Sequence, residues 1–437
     1  MFGPGQCIRF RICGQTMPSA IDKELSLLRF LSPEVLADPH VIYRALREYD
    51  PVHWDPYTHA WVVTSYRESV QVLTDFSSER IPSAVYLEKL GLNVMRPFSD
   101  MMRTQMMFMD GPRHKHLRGI CSAAFMPNRV EKIGEEIEST ANSLLDAVAE
   151  NSELDLIADF ADPLPSIIST RRIGIPIEDR AQVHIWIRDL SELFGNFQHD
   201  PERLTTLLES LQGLKSYLHG LLERPQQDPR AGMIQALATT TVDGSTLSTD
   251  EVIANIIITL VGGHETSTNL IASGFLTLMQ NPNAFEQLRD HPELMHTAAE
   301  ELLRYESPVQ HTARIAPNDV ELNGKKIAKG DRVVVVLAAA NRDPVKFADP
   351  DRLDLARADN RHLAFGWASH FCFGAALARM EAQIAFPILF RRLVNPRLID
   401  SHLAWRQNAG LRGLLRLPIA FESSHDNSVR VKQCPVM

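Results

Sequence analysis

The feature that most constrains the fold is an apolar run of 12 residues, VIANIIITLVGG, which extends from Val252 to Gly263. A helix that spans a bilayer needs about 20 apolar residues, so this run predicts a helix buried in a globular core. Ser248 and Glu251 have the spacing of a capping box, and the helix that they begin is expected to continue to about Gln280. The chain should therefore contain one long, buried helix.

The middle of this helix carries a polar motif, GGHETST. Gly262 and Gly263 each cost about 1 kcal/mol of helix stability relative to alanine. The Ser and Thr side chains that follow can bond back to helical carbonyls and open or kink the helix. A functional break is one interpretation, and close packing of a neighbouring helix is the alternative. A break that places the acid Glu265 beside the hydroxyl of Thr266 suggests delivery of protons.

A second unusual stretch, FGWASHFCFG, holds Cys372 between glycines and aromatic residues from Phe365 to Gly374. A helical pattern, AALARMEAQIAF, follows at once. Backbone N–H groups and the positive end of that helix would lower the pKa of the thiol and suit it to bind a metal. The alternative is a small, buried, apolar side chain with no ligand role.

The remaining patterns predict one mainly α protein with a smaller β-rich region, an α+β fold. Helical periodicity recurs along most of the chain, whereas β-prone residues gather at 51–64 and 314–337, with a weak strand pair at 403–421. A hydrophobic content of 44% with 23% charged residues is that of an ordinary globular protein. We expect a flexible leader at 1–30, a single domain at 31–421 and a loose tail at 422–437.

Charge, cysteine usage and missing motifs exclude several classes of function. A net charge of −9 argues against nucleic acid as a partner. Five scattered cysteines fit a reducing cytoplasm, and neither a secretory signal nor a membrane anchor is evident. His264-Glu265 could begin a metalloprotease motif, but Thr268 stands where the second histidine is needed. No dinucleotide-binding, Walker or serine-hydrolase motif is present.

Three further stretches complete a recognisable pattern: DGPRHKHLR at 110–118, ELLR at 301–304 and PDRL at 350–353. Together with GGHET and FGWASHFCFG, in this order, they resemble the cytochrome P450 superfamily of haem-thiolate monooxygenases, and the soluble bacterial members in particular. The resemblance covers roughly residues 30 to 421. It implies the cytochrome P450 fold, with a long central helix over the haem and a cysteine loop beneath it.

The resemblance also implies a cofactor, haem b (iron protoporphyrin IX), with Cys372 as the axial ligand of the iron. The haem propionates would be met by His114, Arg118, Arg314 and His370. Because His114 and Arg118 are four residues apart, they share one helix face, which supports this assignment. The further cofactor-binding positions would be Gly263, Phe365 and Gly374.

Two other sets of residues receive roles from the resemblance. Glu265 and Thr266 would be catalytic, with Thr266 holding dioxygen or its water and Glu265 relaying protons. A buried structural network that braces the cysteine loop would consist of Glu301, Arg304 and Arg352.

The sequence departs from the family pattern at a few positions. Ala368 and Leu353 replace the glycine and phenylalanine that are usual in the cysteine loop and the arginine segment. A methyl group at 368 requires a backbone conformation that alanine can adopt, so the loop geometry there is open. Gly262 replaces the commoner alanine. None of these changes removes a ligand or a proton carrier.

The expected activity is the use of O₂, two electrons and two protons to hydroxylate or epoxidise a medium to large, mostly apolar small molecule in secondary metabolism. Its pocket should be lined by residues 80–109, 194–197, 262–266 and 309–312. The alternatives are oxidative coupling or cyclisation on the same haem, and a non-catalytic haem sensor.

Electrons must come from a partner because the chain contains no flavin or iron–sulfur segment. The expected donor is a ferredoxin or flavodoxin with its NAD(P)H reductase. It would dock on the face that carries Arg113, Lys115 and Arg379, although these residues could also be merely solvated.

Overall fold

The computed structural model describes residues 20–125, 130–194, 201–224, 232–241 and 244–423. Its first helices are α1 Ala20–Glu24, α2 Pro33–Ala37, α3 His40–Tyr49, α4 Tyr66–Asp75, α5 Ala84–Lys89, α6 Arg96–Arg103, α7 Gly111–Phe125, α8 Val130–Asp146 and α9 Pro163–Ile173. The later ones are α10 Arg180–Ser191, α11 Leu204–Glu223, α12 Met233–Thr239, α13 Thr249–Gln280, α14 Pro282–Asp290, α15 Met295–Tyr305, α16 Leu337–Ala340 and α17 Ala375–Arg392. Helix thus dominates, as predicted.

The strands form three small sheets. They are β1 Val52–Asp55, β2 Ala60–Val63, β3 Glu153–Asp155, β4 Thr312–Ile315, β5 Val320–Leu322, β6 Lys325–Ile327, β7 Arg332–Val335, β8 Leu393–Leu398 and β9 Pro418–Ser423. The largest sheet has the order β1-β2-β7-β4, in which β1 and β2 form the predicted hairpin and β2 runs parallel to β7. The others have the orders β3-β9-β8 and β5-β6. The mainly α fold with a smaller β-rich region is confirmed.

Helix α13 is the long buried helix that the sequence predicts. The side chain of Ser248 accepts a hydrogen bond from the Glu251 amide, and the Glu251 side chain bonds back to the Ser248 amide, which completes the capping box. Apolar residues before Gly262 pack into one core cluster, and those from Leu270 onward pack into a second. The polar motif therefore lies where the helix passes from one core to the other.

The predicted opening of α13 at Gly262 and Gly263 is absent, because the helix is continuous from Thr249 to Gln280. The predicted back-bonding is present. The Thr266 hydroxyl donates to the Gly262 carbonyl at 2.5 Å, and the Thr268 hydroxyl donates to the His264 carbonyl at 3.1 Å. Such bonds replace no helical hydrogen bond, so the ladder survives alongside them.

The folded chain begins earlier than predicted. Residues 20–30 were expected in a flexible leader, but Leu27 and Phe30 are buried in the core that also holds β2 and α16. The weak strand pair expected at 403–421 is also only partly right, since β9 pairs with β3 and with β8 at 393–398. Strand β8 contains Pro396 and lies at a sheet edge, where a residue without an N–H is tolerated.

The leader residues 1–19 and the tail residues 424–437 lie outside the described residues. Across the part of the chain that the structure describes, none of the helices combines the length and the apolar character that crossing a membrane requires.

Candidate active site

The cysteine loop leads directly into α17 and is held by its own backbone. The Cys372 amide donates to the Phe365 carbonyl at 2.8 Å, which closes the loop on itself. Gly366 has φ +71° and Ala368 has φ +54°, so the chain turns through the left-handed region twice. A Cβ added at Gly374 would stand 3.8 Å from Cys372 Sγ, which shows how closely the start of α17 approaches the sulfur.

The electrostatics of Cys372 differ from the sequence-based expectation. The Cys372 side chain is exposed to the cavity, yet desolvation by the protein around it raises the pKa of the thiol, while the Gly374 amide, the charges of Arg118 and Arg379, and the Ala375 amide lower it. The predicted N–H groups are therefore present, but burial outweighs them. A thiolate at this position needs a bound cation to stabilise it, as a metal ion would.

A cavity of about 1380 Å³ connects the cysteine loop with the polar middle of α13. Small-molecule pockets usually measure about 300–1,000 Å³, so this cavity has room for a prosthetic group and a substrate together. All of the predicted cofactor-binding side chains and backbone positions line it, namely His114, Arg118, Gly263, Arg314, Phe365, His370, Cys372 and Gly374. A Cβ at Gly262 would meet no atom within 4 Å, so α13 presents open space to the cavity at this point.

Arg314 is a buried cation that makes fewer hydrogen bonds than its guanidinium can donate. It is 5% exposed, and one terminal nitrogen donates to Thr312 Oγ1 at 3.3 Å and to the Ala313 carbonyl at 2.9 Å. Its Nε has no hydrogen-bond partner, and burial lowers the pKa of the guanidinium to about 10. A buried charge with an unused donor that faces a cavity fits an anionic ligand group.

Two histidines on the cavity wall, with an aspartate behind them, form a second polar group. The rings of His114 and His370 stack with centroids 4.2 Å apart, and His370 Nε2 lies 3.1 Å from Asp110 Oδ1. Burial and the nearby charges of His370 and Arg118 lower the pKa of His114 to about 4, so His114 is a neutral donor near pH 7. Burial alone would raise the pKa of Asp110, but hydrogen bonds from His370, Ser77 and the Ser78 amide bring it down to about 2.

Arg118 and Phe365 complete this wall. Arg118 is half-buried on α7 and donates to the Phe371 carbonyl at 2.5 Å, which ties α7 to the cysteine loop. The Arg379 guanidinium lies over the Phe365 ring at 4.6 Å from its centroid. One thiol, several cationic or neutral donors and the glycine-lined face of α13 surround the same cavity, so the residues present fit a haem.

The buried network behind the loop is built differently from the prediction. Glu301 and Arg304 are both fully buried and form a bidentate pair with two contacts of 2.8 Å. Arg352 does not join them through its side chain, which is 65% exposed and pairs with Asp354. Arg357 takes that place, with Nε 3.1 and 3.2 Å from the two Glu301 oxygens.

This correction has a physical reason. Arg352 contributes only its carbonyl, which accepts from Arg304 and from Arg357. The chain turns between 352 and 357, and the turn directs the later arginine inward. The PDRL segment therefore locates the network correctly but not the arginine that completes it.

The two predicted catalytic residues occupy different environments. Thr266 lines the cavity, whereas Glu265 is buried away from it and lies 3.2 Å from Arg406 Nη1. Burial raises the pKa of Glu265, although Arg406 and His264 lower it in part. The carboxyl of Glu265 therefore does not reach the cavity, whereas the side chain of Thr266 does.

The cavity is lined as predicted by residues from the 80–109 segment, by Phe194, by the middle of α13 and by residues of the 309–312 segment. The methionines of the first segment divide between two roles. Met95, Met102 and Met107 line the cavity, Met101 and Met109 are core residues, and Met106 belongs to both sets. Residues 195–197 of the predicted lining lie outside the described residues.

Several residues at the site were missed from the sequence. Asp110 received no role of its own, Arg406 and Arg357 lie in segments without a motif, and Arg80 lies in a polar loop. Arg80 lines the cavity and lies over the Phe108 ring at 4.5 Å from its centroid. Of these, Arg357 alone had a usable signal, since it follows the PDRL segment by a few residues.

Two of the three basic residues on the predicted docking face form ion pairs with acidic residues of the chain. Arg379 forms a bidentate pair with Glu300 at 2.6 and 2.7 Å, and Arg113 lies 3.0 Å from Glu251. Lys115, on α7, is exposed. The basic character of this face therefore depends mainly on α7.

Comparison with known proteins identifies this arrangement. The sequence profile of the cytochrome P450 family matches residues 90–394. The chain is 35% identical over 395 residues to the biotin biosynthesis cytochrome P450 of Bacillus subtilis (strain 168), covering 90% of this chain and 98% of that one. It is also 35% identical over 407 residues to the cytochrome P450 monooxygenase PikC of Streptomyces venezuelae, covering 91% and 94%.

Solved structures give the same match in three dimensions. P450BioI, in complex with an acyl carrier protein ligated to hexadec-9Z-enoic acid, has a TM-score of 0.83 at 35% identity, covering 90% of this chain and 100% of that one. The myxobacterial cytochrome P450 CYP267B1, in complex with myristic acid, has a TM-score of 0.82 at 34% identity, covering 91% and 100%.

Proposed function

Because the chain belongs to the cytochrome P450 family of haem-dependent monooxygenases, we propose that it hydroxylates or epoxidises a medium to large, mostly apolar small molecule in secondary metabolism. The observation that carries the proposal is the single cavity that Cys372 and Thr266 both line, with every other proposed cofactor contact around it. When bound, the haem supplies the iron that activates dioxygen at the expense of two electrons and two protons.

The residues of the chain have separate tasks in holding this cofactor. Cys372 Sγ would bind the iron. Arg314 and the His114–His370 pair, with Arg118, would hold the propionates, and the unused Nε of Arg314 supports this role. Asp110 fixes the ring of His370 through the 3.1 Å contact. The Glu301–Arg304–Arg357 network keeps the loop that follows it in place.

Haem b is the proposed form because covalent attachment of a c-type haem uses a C-x-x-C-H run, and the sequence contains none. Extraction of the purified protein with acidified ketone should remove the haem completely. Haem that stayed with the protein would contradict this assignment.

Proton delivery is proposed for Glu265 and Thr266. The raised pKa of the buried Glu265 favours a carboxyl that can hold a proton on an oxygen atom. Release from Arg406 would let that carboxyl turn towards the cavity. Thr266 Oγ1 already lines the cavity and would present the proton there, in exchange for its bond to the Gly262 carbonyl.

The substrate class is proposed from the lining and from the relatives. Flexible methionine side chains give the cavity an adaptable apolar wall. The relatives include a biotin biosynthesis and a polyketide biosynthesis cytochrome P450, and two structural neighbours carry fatty acyl ligands. Long-chain acyl compounds and polyketides are therefore the first compounds to screen by the haem spin-state shift.

The electron donor is proposed to be a ferredoxin or flavodoxin with its NAD(P)H reductase. Exposed Lys115 and partly paired Arg113 on α7 support an acidic partner.

One experiment tests the central assignment. The reduced protein with carbon monoxide should show the red-shifted Soret band of thiolate ligation, and Cys372→Ala should abolish it. Cys121→Ala is the matched control, because Cys121 is buried in another part of the core, where burial raises the pKa of its thiol to about 12. A Cys372→Ala protein that kept the band would refute the proposed ligand.

A further inference from the structure

A cluster of two histidines and one aspartate joins three helices beside the active site. Asp162 precedes α9, His184 lies on α10 and His264 lies on α13, next to Glu265. One potential ligand atom from each residue lies within 4.8 Å of the others. None of the three lines the cavity, and none has a role in the proposed function.

The two contacts between a histidine and Asp162 are close to the distances of shared coordination. His264 Nε2 lies 2.9 Å from Asp162 Oδ1, and His184 Nε2 lies 3.3 Å from Asp162 Oδ2. Ligand atoms about 2.0–2.1 Å from a tetrahedral zinc ion lie about 3.3 Å from one another. The two imidazole nitrogens would have to approach each other modestly for all three to reach one ion.

The direction of the closest contact supports this interpretation. His264 is 3% exposed, and neither of its ring nitrogens has a hydrogen-bond partner, although Asp162 Oδ1 is only 2.9 Å from Nε2. The oxygen is near but off the axis of the ring nitrogen. Two ligand atoms whose lone pairs are directed at a common ion are arranged in this way, whereas in a hydrogen bond the N–H is directed along the line to the acceptor. Nε2 of the buried His264 thus faces the Asp162 carboxylate at the centre of the cluster without forming a well-aligned hydrogen bond to it.

A hydrogen-bond contact on the far ring nitrogen orients the ring of His184. Its Nδ1 lies 3.2 Å from Ser166 Oγ, which leaves Nε2 to face Asp162. A hydrogen bond on the far ring nitrogen is the usual support of a metal-binding histidine, because it fixes the tautomer and the ring direction.

We propose that Asp162, His184 and His264 bind a divalent transition-metal ion, for which Zn²⁺ is the probe, with water in the remaining position. Two imidazoles and one carboxylate are a donor set of zinc sites, whereas Mg²⁺ and Ca²⁺ prefer oxygen ligands. Arg406 opposes a cation here, since its charge reaches both Asp162 and His184, but its pairing with Glu265 offsets part of that charge.

The ion would brace α10 against α13. The chain that leaves α10 includes Glu192, Leu193 and Phe194, which line the cavity. Zinc would therefore stiffen one wall of the cavity without touching the haem or the substrate.

The test uses untagged, haem-loaded protein that has been treated with EDTA and exchanged into metal-free buffer. Equilibrium dialysis with elemental analysis should show saturable binding of one Zn²⁺ per chain and no comparable binding of Mg²⁺. Zinc should also raise the Tm. His184→Gln and Asp162→Asn should each weaken Zn²⁺ binding by about 100-fold and remove the rise in Tm.

His402→Gln is the matched control, because His402 is an exposed histidine whose Nδ1 lies 3.7 Å from Asp400. It should bind Zn²⁺ like the unaltered protein. Retention of the carbon monoxide Soret band by each variant verifies folding around the haem. Absence of stoichiometric zinc, equal binding of Mg²⁺, or zinc binding that His184→Gln leaves unchanged would each overturn the proposal.

Discussion

At the scale of single residues, the cysteine loop contains a side chain in an unfavourable backbone conformation. Ala368 has φ +54°, in the left-handed region where a Cβ meets the following carbonyl. The family resemblance marked position 368 as a departure from the usual glycine. The backbone here has a positive φ, which glycine adopts without strain, although the residue is alanine. Strain is therefore stored four residues before the proposed iron ligand.

Ala368→Gly should stabilise the protein. Relief of the left-handed conformation gains about 1–2 kcal/mol, and the greater freedom of glycine in the unfolded chain costs about 0.5–1 kcal/mol. We expect a net gain of about 0.5–1 kcal/mol, seen as a higher Tm of the haem-loaded protein. Ala364→Gly, immediately before the loop, is the control and should lower the Tm, since Ala364 does not have a positive φ. Equal losses in both variants would contradict the strain.

Glu381 is a buried acid with no well-aligned hydrogen bond to either carboxylate oxygen, although the Ser267 hydroxyl lies near enough to stabilise its charge. Burial raises its pKa from 4.5 to about 7, with Ser267 lowering it in part. A group whose pKa is higher in the folded state costs no stability below the unfolded pKa. The cost grows between pH 4.5 and pH 7 and is complete above that, at roughly 3 kcal/mol.

Glu381→Gln should therefore stabilise the protein at high pH relative to low pH. The Tm of the variant minus that of the unaltered protein should increase from pH 5 to pH 8, because the variant has no carboxylate to desolvate. Thermal unfolding at intervals across this range measures it. Glu422→Gln, in strand β9 near the surface, should show no such trend. If the difference in Tm between Glu381→Gln and the unaltered protein stayed constant with pH, ionisation of Glu381 would not destabilise the folded protein.

At the scale of elements, the sequence predicted the features that capping residues and apolar periodicity determine. It missed the features that depend on contacts between distant parts of the chain. The capping box fixed the start of α13, and the apolar pattern fixed its burial. The opening at Gly262 was not found, since helical hydrogen bonds persist there and the glycines instead leave space on the cavity side. Likewise, the arginine that completes the Glu301 pair depends on a turn that no periodicity reveals.

Thr266 and Thr268 provide a matched test on this helix. Both hydroxyls donate to a carbonyl four residues earlier, but only Thr266 lines the cavity. Thr266→Ala should divert reducing equivalents to peroxide and lower the yield of product per NAD(P)H by about tenfold, because proton delivery is impaired. Thr268→Ala should keep the coupling of the unaltered enzyme. Peroxide and product are measured together with a turning-over substrate, and equal coupling in both variants would remove Thr266 from the relay.

At the scale of the whole molecule, the site is assembled from parts of the chain that are far apart in sequence. The cavity joins α7, α13, β4 and the cysteine loop, so residues near 114, 266, 314 and 372 meet in one place. Motif order could predict that assembly through the family resemblance. The pairing of Glu265 with Arg406, near the end of the described chain, could not be predicted, because neither residue's neighbours constrain the other.

The molecule as a whole is acidic, with a net charge of −9, yet it is proposed to receive electrons from an acidic partner. Docking must then rely on a local basic surface, and α7 offers it through exposed Lys115, since Arg379 is already neutralised by Glu300. Lys115→Glu should slow reduction of the haem by a ferredoxin about tenfold at low salt, and the difference should shrink as salt screens it. Lys326→Glu, which makes the same charge change on the exposed β5–β6 hairpin, is the control and should leave the rate within about twofold. Stopped-flow reduction under carbon monoxide measures both, and equal slowing in the two variants would show that only net charge matters and that α7 is not the docking face.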